Sequence, residues 1–113
     1  MALSLNVFKT VTKVASISPE VVYTAPIGYT GVVLLAQVAN ISSSTYNVSF
    51  SHRRNTLGIA VTTEIVKDFA IPGNDSVNLL QGKLTLEPGD TLLISSNNST
   101  NIRFIGSILE TLN

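Results

Sequence analysis

The feature that most constrains this chain is a hydrophobic period of two in place of the helical period of 3.6. Apolar and β-branched residues alternate with Ser, Thr, Asn or Lys over short spans, most regularly in "YNVSFSH", where aromatic and Val side chains occupy every second position. Such alternation places one face of a strand in a core and the other face in solvent. The chain is therefore predicted to be all-β.

Pro and Gly residues divide these spans into short strands. Turn signals recur about every 8–12 residues, a spacing typical of two-sheet folds, and 113 residues leave room for one domain. The predicted fold is a single-domain antiparallel β-sandwich, jelly-roll-like, with about seven or eight strands. Within it, "VVLLAQVANI" is apolar on both faces and is predicted to be central, and "IAVTTEIVKDFAI" is predicted to hold one strand or a pair. Gly82 is predicted to bend the chain between two short strands.

The N-terminal residues have a less regular hydrophobic pattern than the rest of the chain. Val7, Val11 and Val14 are separated by Thr and Lys, the alternation slips around Phe8, and the pattern stops before Pro19. We expect an N-terminal strand or arm over residues 1–18 and a β-sandwich domain over residues 19–113. An arm could leave the domain and pair with a neighbouring copy, because edge strands in assemblies are often completed in this way.

Charge is scarce along the whole chain. Charged residues make up 12% of the sequence, about half the usual share of roughly 25%. A surface rich in Ser, Thr and Asn costs less to desolvate than one rich in Lys and Glu, which favours a subunit of an assembly. Seven basic and seven acidic residues cancel, so no nucleic-acid or membrane partner is expected. The N-terminus lacks the pattern of a secretory signal, and the protein is expected not to be secreted.

Few residues could do chemistry. His52 is the single histidine and no cysteine is present, so a hydrolytic triad or a zinc site lacks its usual partners. His52, Arg53 and Arg54 form a basic cluster that could lie in a solvated loop or make an interface salt bridge, readings favoured over nucleic-acid contact. Tyr29 is expected in an exposed turn, where packing on the neighbouring strand or on a partner subunit is favoured over stacking on a sugar.

Three carboxylates in "IPGNDSVNLLQGKLTLEPGD" could be taken for catalytic acids. Glu87 and Asp90 stand at the first and last positions of a predicted type II turn, with Pro and Gly between them, and Asp75 follows a second Pro-Gly pair. Nothing in the spacing fixes two carboxylates across a cleft, as paired acid catalysis requires. We therefore predict no enzyme, no catalytic or metal-binding residue and no cofactor.

Several segments in this order resemble small virion structural proteins of tailed bacteriophages, particularly phages of marine bacteria and cyanobacteria. The segments are "YTAPIGYTGVVLLAQVANI", "VSFSHRRN", "EIVKDFAIPGNDSVNLLQGKLTLEPGDTLLISS" and "FIGSILETLN". The resemblance implies a non-enzymatic homo-oligomer, with a trimer favoured, on the surface of the virion and made in the host cytoplasm. Its partners would be the major capsid protein or other virion proteins.

Within that class the favoured role is a capsid decoration or cement protein that stabilises the head. A neck, tail or baseplate component is the first alternative, and a carbohydrate- or receptor-binding fibre-type module is the second. The residues expected at interfaces are Val7, Val11, Tyr29, His52, Arg53 and Arg54.

Overall fold

A computed structural model describes residues 6–56 and 58–113 of the chain. These residues form nine strands and no helix, so the predicted all-β class is confirmed with more strands than the expected seven or eight. None of the described segments is a helix long and apolar enough to cross a membrane. In chain order the strands are β1 (Asn6–Val14), β2 (Glu20–Thr24), β3 (Tyr29–Asn40), β4 (Tyr46–Thr56), β5 (Ile59–Ile71), β6 (Asp75–Asn78), β7 (Leu84–Leu86), β8 (Thr91–Ser96) and β9 (Ile102–Leu112).

The strands form two antiparallel sheets, which confirms the predicted sandwich. Sheet A has the order β1-β9-β3-β6, with β7 also paired to β3, and sheet B has the order β2-β8-β4-β5. The strand "VVLLAQVANI" is central, as expected, because it belongs to β3. The predicted bend at Gly82 lies between β6 and β7, which pair with separate parts of β3.

The core lies between the sheets and is built by the alternation read from the sequence. Phe50 of β4 and Phe104 of β9 meet there with ring centroids 5.5 Å apart. Every buried side-chain polar atom among the described residues has a hydrogen-bond partner, as expected of a well-formed core. The largest fully buried apolar side chains are Phe50, Ile71, Leu86, Leu92, Ile94, Ile102 and Ile108.

Both Pro-Gly pairs form turns, but each glycine is needed for a different reason. The N–H of Asp90 donates to the carbonyl of Glu87 at 3.0 Å, and Gly89 has φ +88°, as a type II turn requires. Gly73 instead leaves room for a neighbouring backbone, because a Cβ there would lie 2.5 Å from the carbonyl carbon of Ser43. The turn at Gly89 depends on a positive φ, and the turn at Gly73 depends on the close approach of two backbone segments of the same chain.

The predicted N-terminal segment contains β1, which pairs with β9 over nine residues without a register shift. Residues 1–5 of the predicted arm lie outside the described residues. The stretch 59–71 is one strand rather than a pair, and its pairing with β4 shifts register near Phe50. Asp68 lies in this irregular part with φ +48°. These shifts break the regular alternation that the sequence suggested for β5.

Candidate assembly surface

The edge strands of the two sheets differ in how well they are protected against pairing with a strand of another chain. Sheet B ends at β2, which is bulged between Val21 and Tyr23, and at the irregular β5. Sheet A ends on one side at β6 and β7, which are four and three residues long. On its other side it ends at β1, which is nine residues long and regular. Bulges, charges and short length are the usual protections of an edge. β1 carries Lys9 and Lys13, but it is neither bulged nor short.

The backbone of β1 presents every second residue to the open side of sheet A. Directly after this strand, the N–H of Ala15 donates to the carbonyl of Ile102 at 2.9 Å. In an antiparallel pair such bonding recurs at every second residue. The odd-numbered residues of β1 therefore bond to β9, and Phe8, Thr10 and Thr12 direct their N–H and C=O groups away from the sheet.

The outer face of sheet A beside this edge is largely uncharged. Phe8, Leu109 and Val32 lie opposite one another on β1, β9 and β3, and the Phe8 side chain is 72% exposed. A shallow groove of about 690 Å³ crosses the same three strands, with Ile105 and Arg103 in its lining. Val14 and Ile105 on the same face are exposed as well, and a contiguous apolar patch marks an interaction surface.

Behind the edge, one buried carboxylate joins three strands. The hydroxyl of Tyr23 on β2 donates to Oε2 of Glu110 on β9 at 2.5 Å. Nζ of Lys9 on β1 lies 3.3 Å from Oε1 of the same carboxylate. Glu110 is only 4% exposed. This Tyr23–Glu110–Lys9 cluster thus connects the edge strand of sheet A to its own sheet and to sheet B.

The environment of Tyr23 predicts how the free energy of unfolding changes at alkaline pH. Burial, together with the hydrogen bond to Glu110 and its charge, raises the pKa of Tyr23 above its ordinary 10.0. The stability that the neutral phenol contributes is therefore complete below about pH 10 and is lost as pH rises towards the folded-state pKa. We expect the free energy of unfolding to fall more steeply above about pH 10 in the native sequence than in Tyr23→Phe. Urea denaturation in a pH series measures both slopes, and equal slopes would contradict the role assigned to Tyr23.

Three of the interface residues expected from sequence lie in sheet A. Val7 and Val11 are half-buried on the inner side of β1. Tyr29 begins β3, is also half-buried, and its N–H donates to the carbonyl of Pro26 at 3.1 Å. Their place in an interface stays a prediction, although β1 itself is the open edge.

The basic cluster is divided by strand alternation. Nε2 of His52 lies 3.0 Å from Oδ2 of Asp90, and Nη2 of Arg54 lies 2.8 Å from Oε2 of Glu87. Both side chains thus contact the type II turn of the same chain. Arg53 points the other way and lines a trough on the outer face of sheet B. Among residues 6–56 and 58–113 no three His, Asp or Glu side chains converge as a metal-binding group.

The sequence pattern gave no functional role to Phe8, Tyr23 or Glu110. Glu110 continues the inward series of Ile102, Phe104 and Ile108 at every second position of β9. That alternation was the signal that could have placed the carboxylate inside. Tyr23 could not be paired with it from sequence, because 87 residues separate them.

Comparison with known proteins shows a likeness of fold. No family model matches the chain, and no curated protein matches it. A solved structure of Bacillus endospore appendages, described as a novel family of disulfide-linked pili, matches with a TM-score of 0.50 and 16% sequence identity. The match covers 96% of this chain and 88% of that chain. At this identity the likeness establishes the β-sandwich architecture.

The resemblance to tailed-phage virion proteins is wrong, because the matching structure is that of a pilus and not of a virion. The roles derived from it are wrong as well: capsid decoration, neck, tail or baseplate component, and fibre-type module. The location on the virion surface, the synthesis in a host cytoplasm and the capsid partners are wrong for the same reason. The physical reason is that the quoted segments consist of Pro-Gly turns and alternating strands, which any β-sandwich of this size needs.

Proposed function

We propose that this protein is a non-enzymatic structural subunit that polymerises with copies of itself through the β1 edge of sheet A. The observation that carries the proposal is the regular nine-residue edge of β1, whose outward N–H and C=O groups are a template for a strand of another copy. The exposed Phe8 beside that edge would be covered by the same contact.

The fold likeness supports this proposal. The Bacillus appendages with a similar subunit fold are pili, and a polymer on the outside of a spore or cell is the corresponding role for this chain. Those pili are disulfide-linked, whereas this chain contains no cysteine. Its polymer would therefore be held by strand pairing and apolar contacts without disulfide links.

The charges on β1 favour an open polymer over a twofold dimer. Two β1 strands paired with each other would bring Lys9 and Lys13 of both copies to the same face. Like charges on facing strands are destabilising, except where the ion pairs with Glu110 and Glu20 offset them. Pairing with a different edge of the partner is heterologous, and such contacts form filaments when the rotation does not close. A trimer, which the sequence analysis favoured, would be the closed form of the same contact.

Sedimentation velocity over a range of concentrations, with and without reductant, tests this function. We expect species that grow with concentration and are unchanged by reductant, because no disulfide can form between chains that lack cysteine. Growth that stops at three copies would indicate the closed trimer. A single monomeric species at every concentration would refute the proposed function.

A further inference from the structure

The Tyr23–Glu110–Lys9 cluster brings a charged group into a core whose other members are apolar. Glu110 lies on the inner face of β9, in line with the apolar side chains of the core. Burying a carboxylate costs several kcal/mol unless it is paired and hydrogen-bonded. Glu110 is buried at this cost next to the open β1 edge, so we looked for its role at that edge.

We propose that Glu110 is the positioning residue of the assembly edge: through Lys9 it holds β1 in register against β9, so that the outward backbone groups of β1 stay aligned for a partner strand. This inference rests on the proposed function and specifies how the β1 edge is held in a conformation that can pair with another copy. Glu110 acts through Lys9 and does not itself touch the partner copy.

The weak burial of β1 makes such an anchor necessary. None of its nine residues is buried, and even the inward Val7 and Val11 are only half-buried. Apolar packing therefore contributes little to holding this strand, compared with the buried residues of β3 or β9. Polar contacts from β1 to the interior therefore contribute a larger share of the free energy that holds this strand in the sheet.

Two lysines of β1 make ion pairs, and the two pairs differ in strength. Lys13 lies 3.9 Å from Oε1 of Glu20, whose side chain is 44% exposed. Lys9 lies 3.3 Å from Glu110, whose side chain is 5% exposed. Solvent screens the first pair, and exposed pairs contribute little. In the second pair the Lys9 side chain is itself 48% exposed, but the carboxylate is buried, and a buried charge that loses a partner is costly. Glu110 is thus the stronger attachment, and Glu20 provides a matched control.

The surroundings of Glu110 fix the direction of its carboxylate. Gly31 of β3 lies opposite Glu110 in the sheet, and a Cβ at this glycine would be 3.4 Å from the ring of Tyr23. The missing side chain leaves room for the Tyr23 ring to reach across from sheet B. Its hydroxyl occupies Oε2 and leaves Oε1 for Lys9, so the carboxylate faces the edge strand.

Amide hydrogen exchange of Glu110→Gln in the dilute monomer tests the inference. We expect the amides of Val7, Lys9 and Val11 to exchange at least tenfold faster than in the native protein, with amides between β3 and β9 unchanged. The concentration needed for self-association should rise at least tenfold. Lys9→Met should reproduce both effects, and Glu20→Gln should change each by less than about twofold because its ion pair is screened.

Unchanged exchange of β1 in Glu110→Gln and Lys9→Met would overturn the inference. Equal acceleration in β1 and in the β3–β9 pair would overturn it too, because Glu110 would then stabilise the sandwich as a whole. Selective loosening of β1 supports it. The monomer data decide this point separately from the proposed function, which fails if the native protein does not self-associate at all.

Discussion

Thr10→Pro is expected to weaken self-association strongly while leaving the sandwich folded. The N–H of Thr10 points to the open side of β1, so proline removes no bond to β9 and is tolerated as it is on other edge strands. In an assembly the same position would lie inside a sheet, where proline removes a ladder hydrogen bond and leaves the partner's carbonyl unpaired at a cost of about 1–3 kcal/mol. That cost corresponds to a loss of about five- to 150-fold in association.

Thr10→Val is the matched control, because it removes the hydroxyl and keeps the N–H. Sedimentation velocity should show self-association in Thr10→Val and monomer in Thr10→Pro at the same concentration. Urea denaturation should show both variants within about 1 kcal/mol of the native protein, as expected for exposed positions. Self-association of Thr10→Pro at native strength would exclude pairing at this edge.

Asp90→Ala is expected to destabilise the fold by about 2–4 kcal/mol, because two donors would lose their shared acceptor. Oδ2 of Asp90 accepts the N–H of Glu87 at 3.1 Å and lies 3.0 Å from Nε2 of His52. Asp90 is 2% exposed, so water cannot replace it freely. Urea denaturation at neutral pH measures the loss.

Asp75→Ala is the control for this substitution, since Asp75 follows the other Pro-Gly pair. It is exposed, and its Oδ1 accepts only the N–H of Ser76 at 2.8 Å. We expect a change of about 0.5 kcal/mol, as for most surface substitutions. Equal losses in Asp75→Ala and Asp90→Ala would contradict the burial and hydrogen bonding assigned to Asp90.

These two aspartates show what local sequence patterns can predict. Turn chemistry placed both residues at Pro-Gly turns, because Pro and Gly restrict the backbone within a few residues. In the structure Asp90 closes one of these turns, and Asp75 begins β6 directly after the other. The difference in their burial depends on His52, which reaches Asp90 from β4, 38 residues away. A contact of that range leaves no local pattern in the sequence.

The fold was predictable to a similar extent. Alternation identified β4 and the central β3, since side chains of a strand must divide between two faces. It did not anticipate the register shifts of β5, where Asp68 adopts a positive φ. Bulges depend on the partner strand, so the sequence of β5 alone does not determine them.

The candidate surface was only partly predicted. Val7 and Val11 pointed to the N-terminal strand, whereas Phe8 was treated as a break in its alternation. In the structure Phe8 belongs to the regular outward series of β1 and is its most exposed large apolar residue. The mistaken similarity to phage proteins has a related cause, because turn and strand patterns identify an architecture that many unrelated proteins share.

Amide exchange on the assembled protein tests the central claim most directly. The N–H groups of Phe8, Thr10 and Thr12 face solvent in the monomer and should become paired when β1 joins a strand of another copy. We predict that their exchange slows by more than a hundredfold between dilute monomer and assembly. Assembled protein in which these three amides exchange as fast as in the monomer would contradict self-assembly through the β1 edge.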